Sequence, residues 1–137
     1  MKAYADASAL LRWLLKQPGG LDSWSEWARV VTSELHRVEA FRTLDRLRIE
    51  RKLSPSEIAE KSTLLRATTP GFEVAPISTT VLQRACAPFP TVVGALDAIH
   101  LATALLWIED NRESLVFLTH DQQLAVAAKA CGLEVRG

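Results

Sequence analysis

Lys2-Ala3-Tyr4-Ala5-Asp6-Ala7-Ser8-Ala9-Leu10-Leu11-Arg12-Trp13-Leu14-Leu15 is the stretch that decides the fold. Lys2–Ala5 is a short apolar run that stops at the polar Asp6-Ala7-Ser8, and Leu10, Leu11, Leu14 and Leu15 then follow at helical spacing. The pattern predicts a strand, a polar turn and a helix that ends at Pro18-Gly19-Gly20. The alternation continues along the chain. Trp27–Val31 predicts a second strand, and Thr32-Ser33 a cap for a helix burying Leu35, Val38, Leu44, Leu47 and Ile49. Ser54-Pro55-Ser56-Glu57 has the form of a capping box with proline at the first helical position, so a helix is expected over 55–67. Phe72–Ala75 predicts a third strand, Thr79–Ala85 a short helix, and Leu96–Ile108 a strongly apolar helix after the loop that Pro88 and Pro90 impose. Leu115–Leu118 predicts a fourth strand, Asp121–Ala130 a helix with Gly132 just beyond it, and Leu133–Val135 a last short strand. Strands that are continuous apolar runs, alternating with helices, indicate an α/β fold whose mainly parallel sheet is covered on both faces.

The whole chain is consistent with one domain over residues 1–137, with 48% hydrophobic and 23% charged residues and no repeat or linker. Sixteen basic residues balance sixteen acidic ones, which removes overall basicity as an argument for nucleic-acid binding. The charge is uneven, however: residues 1–69 carry 12 basic and 9 acidic groups, and residues 70–137 carry 4 and 7, so the halves are +3 and −3. Cys86 and Cys131, with no CxxC, make neither a disulfide framework nor a zinc site. No secretory signal and no apolar run of membrane-spanning length is visible, so the expectation is a soluble protein of the cytoplasm.

In open parallel sheets, ligands sit outside the carboxyl ends of the strands. Asp6 follows the first predicted strand, and Thr119, His120 and Asp121 follow the fourth, so Asp6 and Asp121 share one crevice if those strands are neighbours. Glu39 and Asp97 lie near the starts of their helices among apolar residues, where an unpaired carboxylate is costly. Each acid also has a purely structural reading. Asp6 and Asp121 suit helix N-caps, Glu39 suits a partner for Arg37 or Arg42, and Asp97 suits a first-turn acid favoured by the helix dipole. Together, several carboxylates at one end of a sheet with no lysine motif to neutralise them call for a divalent cation. All-oxygen ligands suit Mg²⁺ or Mn²⁺ rather than zinc.

Four segments, in order, resemble the PIN-domain ribonucleases, and within them the VapC toxins of VapBC toxin–antitoxin systems. Tyr4-Ala5-Asp6-Ala7-Ser8-Ala9-Leu10 resembles the opening strand-Asp-x-Ser-Ala-Leu of that family. Thr32-Ser33-Glu34-Leu35-His36-Arg37-Val38-Glu39 resembles its second motif, Leu96-Asp97-Ala98-Ile99-His100-Leu101-Ala102-Thr103-Ala104 its third, and Leu118-Thr119-His120-Asp121-Gln122-Gln123-Leu124 its fourth. The resemblance implies a PIN-like three-layer α/β/α sandwich and a metal-dependent endoribonuclease toxin of a type II toxin–antitoxin system. It implies an acidic pocket of Asp6, Glu39, Asp97 and Asp121 holding Mg²⁺ or Mn²⁺, with Asp6 and Asp97 central. Ser8 and Thr119 are candidates for supporting hydrogen bonds, or for local capping hydroxyls. The partners implied are an RNA substrate, a VapB-type antitoxin and a second copy in a homodimer. Position 123 is Gln where members often carry a further acid, which counts against a fully occupied second metal site.

The competing enzyme classes fail on their own residues. A haloacid-dehalogenase-like site needs a second Asp at position 8, which is Ser, and a response-regulator-like site needs a lysine after a late strand. The remaining alternative is a non-catalytic PIN-like scaffold. Between residues 37 and 52, Arg37, Arg42, Arg46, Arg48, Arg51 and Lys52 outnumber Glu39, Asp45 and Glu50. This run reads either as a solvated helix face laced with ion pairs or as phosphate contacts. Trp13 and Trp24 read as core or as a groove for a partner helix. His36, His100 and His120 lack metal-ligand spacing and stay outside the expected site.

Overall fold

A computed structural model describes residues 1–137. In chain order the elements are β1 (Lys2–Ala5), α1 (Ala7–Leu14), β2 (Arg29–Ser33), α2 (Leu35–Ile49), α3 (Pro55–Thr68), β3 (Glu73–Ala75), α4 (Thr79–Ala85), α5 (Ala95–Asn111), β4 (Val116–Leu118), α6 (Gln122–Ala130) and β5 (Glu134–Arg136). All five strands pair in parallel, in the order β3-β2-β1-β4-β5. The chain builds outward from β1 to β3 and then returns to the other side of β1. The topological switch point therefore lies between β1 and β4, where a crevice opens at the carboxyl ends of the strands.

Alternation along each strand divides the core in two. Ala3, Ala5, Val30, Val116 and Leu118 face α1, α2 and α3, packing with Leu10, Leu14, Leu44 and Leu65. Tyr4, Val31 and Phe117 face the opposite way, toward Leu101, Ala104 and Trp107 of α5 and Leu124, Ala127 and Ala128 of α6. Tyr4 stacks on Phe117 with ring centroids 5.1 Å apart. Because both faces are covered, the strands read as continuous apolar runs. No helix is long and apolar enough to cross a membrane.

The elements follow local chemistry closely. Ser54 accepts the Glu57 amide while Glu57 reaches back to the Ser54 amide, closing the box that starts α3. Three expectations are corrected. The second strand begins at Arg29 rather than Trp27, because Trp24–Glu26 forms a 3₁₀ turn that buries Trp24 and Trp27 against the α1 side. Thr32 and Ser33 are strand residues, pairing with Val74 and Ala75, and only Ser33 also caps: its Oγ accepts the Leu35 amide at 3.1 Å, whereas the Thr32 hydroxyl donates to the Ala5 carbonyl at 2.7 Å. Val38 and Ile49 are 60% and 64% exposed, because α2 turns Leu35, His36, Ala40 and Leu44 inward instead.

Candidate active site

Asp6 is the first residue past β1, and its amide donates to the Leu118 carbonyl at 3.2 Å, tying the end of β1 to the end of β4. Its side chain, 3% exposed, is fully engaged. Oδ1 accepts the Ala9 amide at 2.9 Å, which makes Asp6 the N-cap of α1. Oδ2 accepts the Thr119 hydroxyl at 2.6 Å, and Ser8 Oγ, with its single proton to donate, lies 2.7 and 2.9 Å from the two oxygens. Thr119 Oγ1 in turn accepts the Asp121 amide at 3.1 Å, and Ser8 Oγ accepts the His120 amide at 2.9 Å. Asp121 caps α6 by accepting the Leu124 amide at 2.8 Å. Neighbouring strands thus end in the same device, an acid that spends one oxygen on the helix behind it. The capping reading and the site reading of Asp6 and Asp121 are compatible, and Ser8 and Thr119 are the bonds that join them.

Glu39 comes from one turn inside α2 and pairs with neither Arg37 nor Arg42. Its Oε1 accepts from His100 Nε2 at 2.5 Å. With Nε2–H donating, His100 Nδ1 is left to accept the Tyr4 hydroxyl, 2.7 Å away. Burial, reinforced by the nearby Asp6 charge, pushes the Tyr4 phenol well above its ordinary range, which keeps it a donor. Tyr4 and His100 were not legible as site residues in the sequence. The available signal was that His100 lies three residues after Asp97, on the same side of one helix.

Asp97, in the first turn of α5, is half-buried and has neither a hydrogen-bond donor nor an ion-pair partner. Its carboxyl is pushed up to about 6, first by burial, then by the charges of Asp121 and Asp6, with Glu39 adding to them. Burial also raises Asp6, against the opposing hydrogen bonds of Thr119, Ala9 and Ser8. The acids therefore share one electrostatic neighbourhood, and no Lys or Arg is paired with Asp6, Asp97, Asp121 or Glu39. As they stand, no three His, Cys, Asp or Glu side chains converge closely enough to grip an ion. By charge and ligand type, though, an all-oxygen, unneutralised group containing one orphaned half-buried carboxylate fits a hard divalent cation.

The PIN domain family model matches residues 3–130. Ribonuclease VapC47 of Mycobacterium tuberculosis is 29% identical over 136 residues, covering 94% of this chain and 91% of that protein. A toxin–antitoxin complex from Klebsiella pneumoniae superposes with a TM-score of 0.66 at 17% identity, over 98% of this chain and 96% of the matched one. FitAcB from Neisseria gonorrhoeae gives 0.66 at 15% identity, over 100% and 97%. At these identities the two structures speak for the fold. The family match runs through all four acid-bearing segments, and on it the chain belongs to the PIN domain family.

Proposed function

We propose that this protein is a metal-dependent endoribonuclease, the toxin of a type II toxin–antitoxin system, which hydrolyses phosphodiester bonds of cellular RNA in the cytoplasm and is neutralised by a VapB-type antitoxin. Family membership supports nuclease chemistry, and the relative named as a ribonuclease supports RNA as its target. The likeness to a toxin–antitoxin complex supports the partner. The observation that carries the reading is the unneutralised acid group at the β1/β4 switch point, with Asp97 raised and unpartnered in its midst.

Asp6 and Asp97 would hold Mg²⁺ or Mn²⁺, with Glu39 and Asp121 completing or supporting the ligand set. When bound, such an ion supplies a water of lowered pKa and positive charge for the scissile phosphate and leaving oxygen. The protein's part is positional. Ser8 and Thr119 fix both Asp6 oxygens, so that carboxylate turns little when a ligand arrives. His100, itself held by Tyr4, orients Glu39 by one oxygen and leaves Oε2 free. Burial and the neighbouring acids make the charged form of Asp97 costly, and a cation offsets that cost. A Lys or Arg from a bound antitoxin would satisfy the same carboxylates and exclude metal. A homodimer fits this reading and is part of the proposal.

The test is cleavage of total RNA by antitoxin-free protein with Mn²⁺ or Mg²⁺, beside Asp6→Asn and Asp97→Asn. Discrete fragments that vanish in both variants and in EDTA are expected. A folded wild type with no cleavage, and no rise in Tm on adding metal, would leave a non-catalytic PIN scaffold.

A further inference from the structure

The basic run from Arg37 to Lys52, Arg51 aside, separates into two groups. Arg42 and Arg48 share Asp45, and Arg46 and Lys52 share Glu50, so these four form the ion-paired face of a solvated helix. Arg37 takes no part in that lacework. It lines a cavity of about 430 Å³ between the first turns of α2, the end of α3 and the β3 edge, and Arg66 of α3 lines it as well. Neither guanidinium is paired with a carboxylate. Arg66 lies over the Phe41 ring at 4.8 Å from its centroid.

His36 and Glu34 also line the cavity. His36 is 5% exposed, and its Nδ1–H donates to the Ser33 carbonyl at 2.8 Å, which leaves Nε2 as an acceptor without a protein partner. Glu34 is turned toward the Ile77 amide, which donates to Oε1 at 2.8 Å, and its second oxygen is free. The cavity starts close to the acids: His36 precedes Glu39 by three residues, less than one helical turn of about 5.4 Å. Its volume falls in the range of small-ligand sites, roughly 300–1,000 Å³.

We propose that this cavity is a nucleotide subsite that holds single-stranded RNA beside the acidic centre, with Arg37 and Arg66 clamping a phosphate. Planar guanidiniums match phosphate by paired donors, and the Phe41 ring beneath Arg66 holds that guanidinium in place. The free acceptors on His36 and Glu34 suit the amino edges of bases. Two unpaired arginines against one tethered glutamate leave the cavity net positive beside a carboxylate group that repels phosphate, so the strand is held where the protein attracts it and reaches the acids from there. The substrate class rests on the nuclease reading above.

The probe is a fluorescein-labelled single-stranded RNA of about ten nucleotides, within the span of small single-strand binding domains. Its anisotropy is followed as the full-length protein is added in EDTA, while cleavage by the same preparation is measured separately with Mn²⁺. Arg37→Ala and Arg66→Ala should each weaken binding about ten-fold and flatten the slope of log K against log salt by about one. Both arginines are exposed, so Tm should hold. Arg48→Ala removes the same charge from the paired face and should change nothing. Arginine variants with wild-type affinity and slope overturn the proposal, as does a wild type that binds no RNA. So does arginine-dependent binding of poly-glutamate as tight as that of RNA, which would assign the cavity to an acidic partner protein. RNA cleavage with binding indifferent to Arg37 and Arg66 removes the subsite and keeps the nuclease. Arginine-dependent binding without cleavage removes the nuclease and keeps the subsite.

Discussion

Asp6 and Asp97 face the same crevice from opposite conditions. Asp6 is almost wholly buried, and the Ala9 amide and the Ser8 and Thr119 hydroxyls occupy both of its oxygens. Asp97 is half-buried with no donor at all, and its carboxyl rises to about 6. The protein has already met the cost of burying one acid and left the other open. A carboxylate the protein satisfies by itself fixes geometry. One it leaves unsatisfied stays open to a ligand from outside, and the proposed function fills it with positive charge.

The strongest way to break this pairing is through catalysis. If the two acids serve one ion, Asp6→Asn and Asp97→Asn should each lower Mn²⁺-stimulated RNA cleavage by at least about 100-fold, the scale seen when a group facing developing charge is removed. Cleavage rates on total RNA, at equal folded protein, check this. A variant that stays active takes its residue out of the centre and undoes the comparison.

The next effect falls on stability and on one side only. Thr119→Val keeps the shape of the side chain but strips Asp6 Oδ2 of its 2.6 Å donor and the Asp121 amide of its acceptor. Removing the shorter of the two hydrogen bonds to a buried carboxylate oxygen should cost about 1–3 kcal/mol, read by urea unfolding in EDTA. Substituting Asp97 in the same buffer at neutral pH should cost nothing, because it loses no bond. Equal losses at the two positions would mean that Asp97 has a donor in solution.

How much of this could be read in the chain depends on how local the cause is. The sheet was legible because four of its five apolar runs precede a helix, and α3 because Ser54, Pro55 and Glu57 specify its start within four residues. The end of β2 was not, because Thr32 and Ser33 have the chemistry of a cap, and only their pairing with Val74 and Ala75 makes them strand. The acids at 6 and 121 were placed by their position after strands. The Glu39–His100 contact joins residues 61 apart on two helices, and the Arg37–Arg66 cavity likewise needs α2 and α3 to be packed before it exists. Sequence spacing carries no trace of either.

The Asp97 side sharpens with pH. In the metal-free protein the folded-state carboxyl is raised from 3.8 to about 6, so folding favours its protonated form. Below about pH 4 both folded and unfolded chains hold the proton and the group is neutral to stability. As pH rises through about 6 the folded chain must carry the charge, and stability is lost. Asp97→Asn removes that loss. Its unfolding free energy in EDTA should match wild type near pH 4 and exceed it by pH 7, by about 1 kcal/mol once solvent screening of a half-exposed group is discounted. Millimolar Mn²⁺ should close the gap by stabilising wild type alone. A gap that does not change with pH would show that Asp97 is not the strained acid.

Ser8→Ala gives the smallest effect and the finest discrimination. Ser8 Oγ gives its one proton to Asp6 and accepts the His120 amide, but Asp6 keeps the Ala9 amide and the Thr119 hydroxyl without it. The loss should therefore be about that of one part-buried hydrogen bond, 0.5–1.5 kcal/mol, below that of Thr119→Val, whose bond is buried. If the hydroxyl only caps the helix, cleavage per folded molecule should stay at wild type. If it also holds the Asp6 carboxylate in the orientation a cation needs, the half-maximal Mn²⁺ concentration should rise by about ten-fold while the rate at saturating metal recovers, since groups that orient a ligand typically cost 10–100-fold in metal affinity. The second result is the one expected here. Both Asp6 oxygens lie within reach of that single proton, an arrangement that restrains rotation of the carboxylate more than it strengthens the cap.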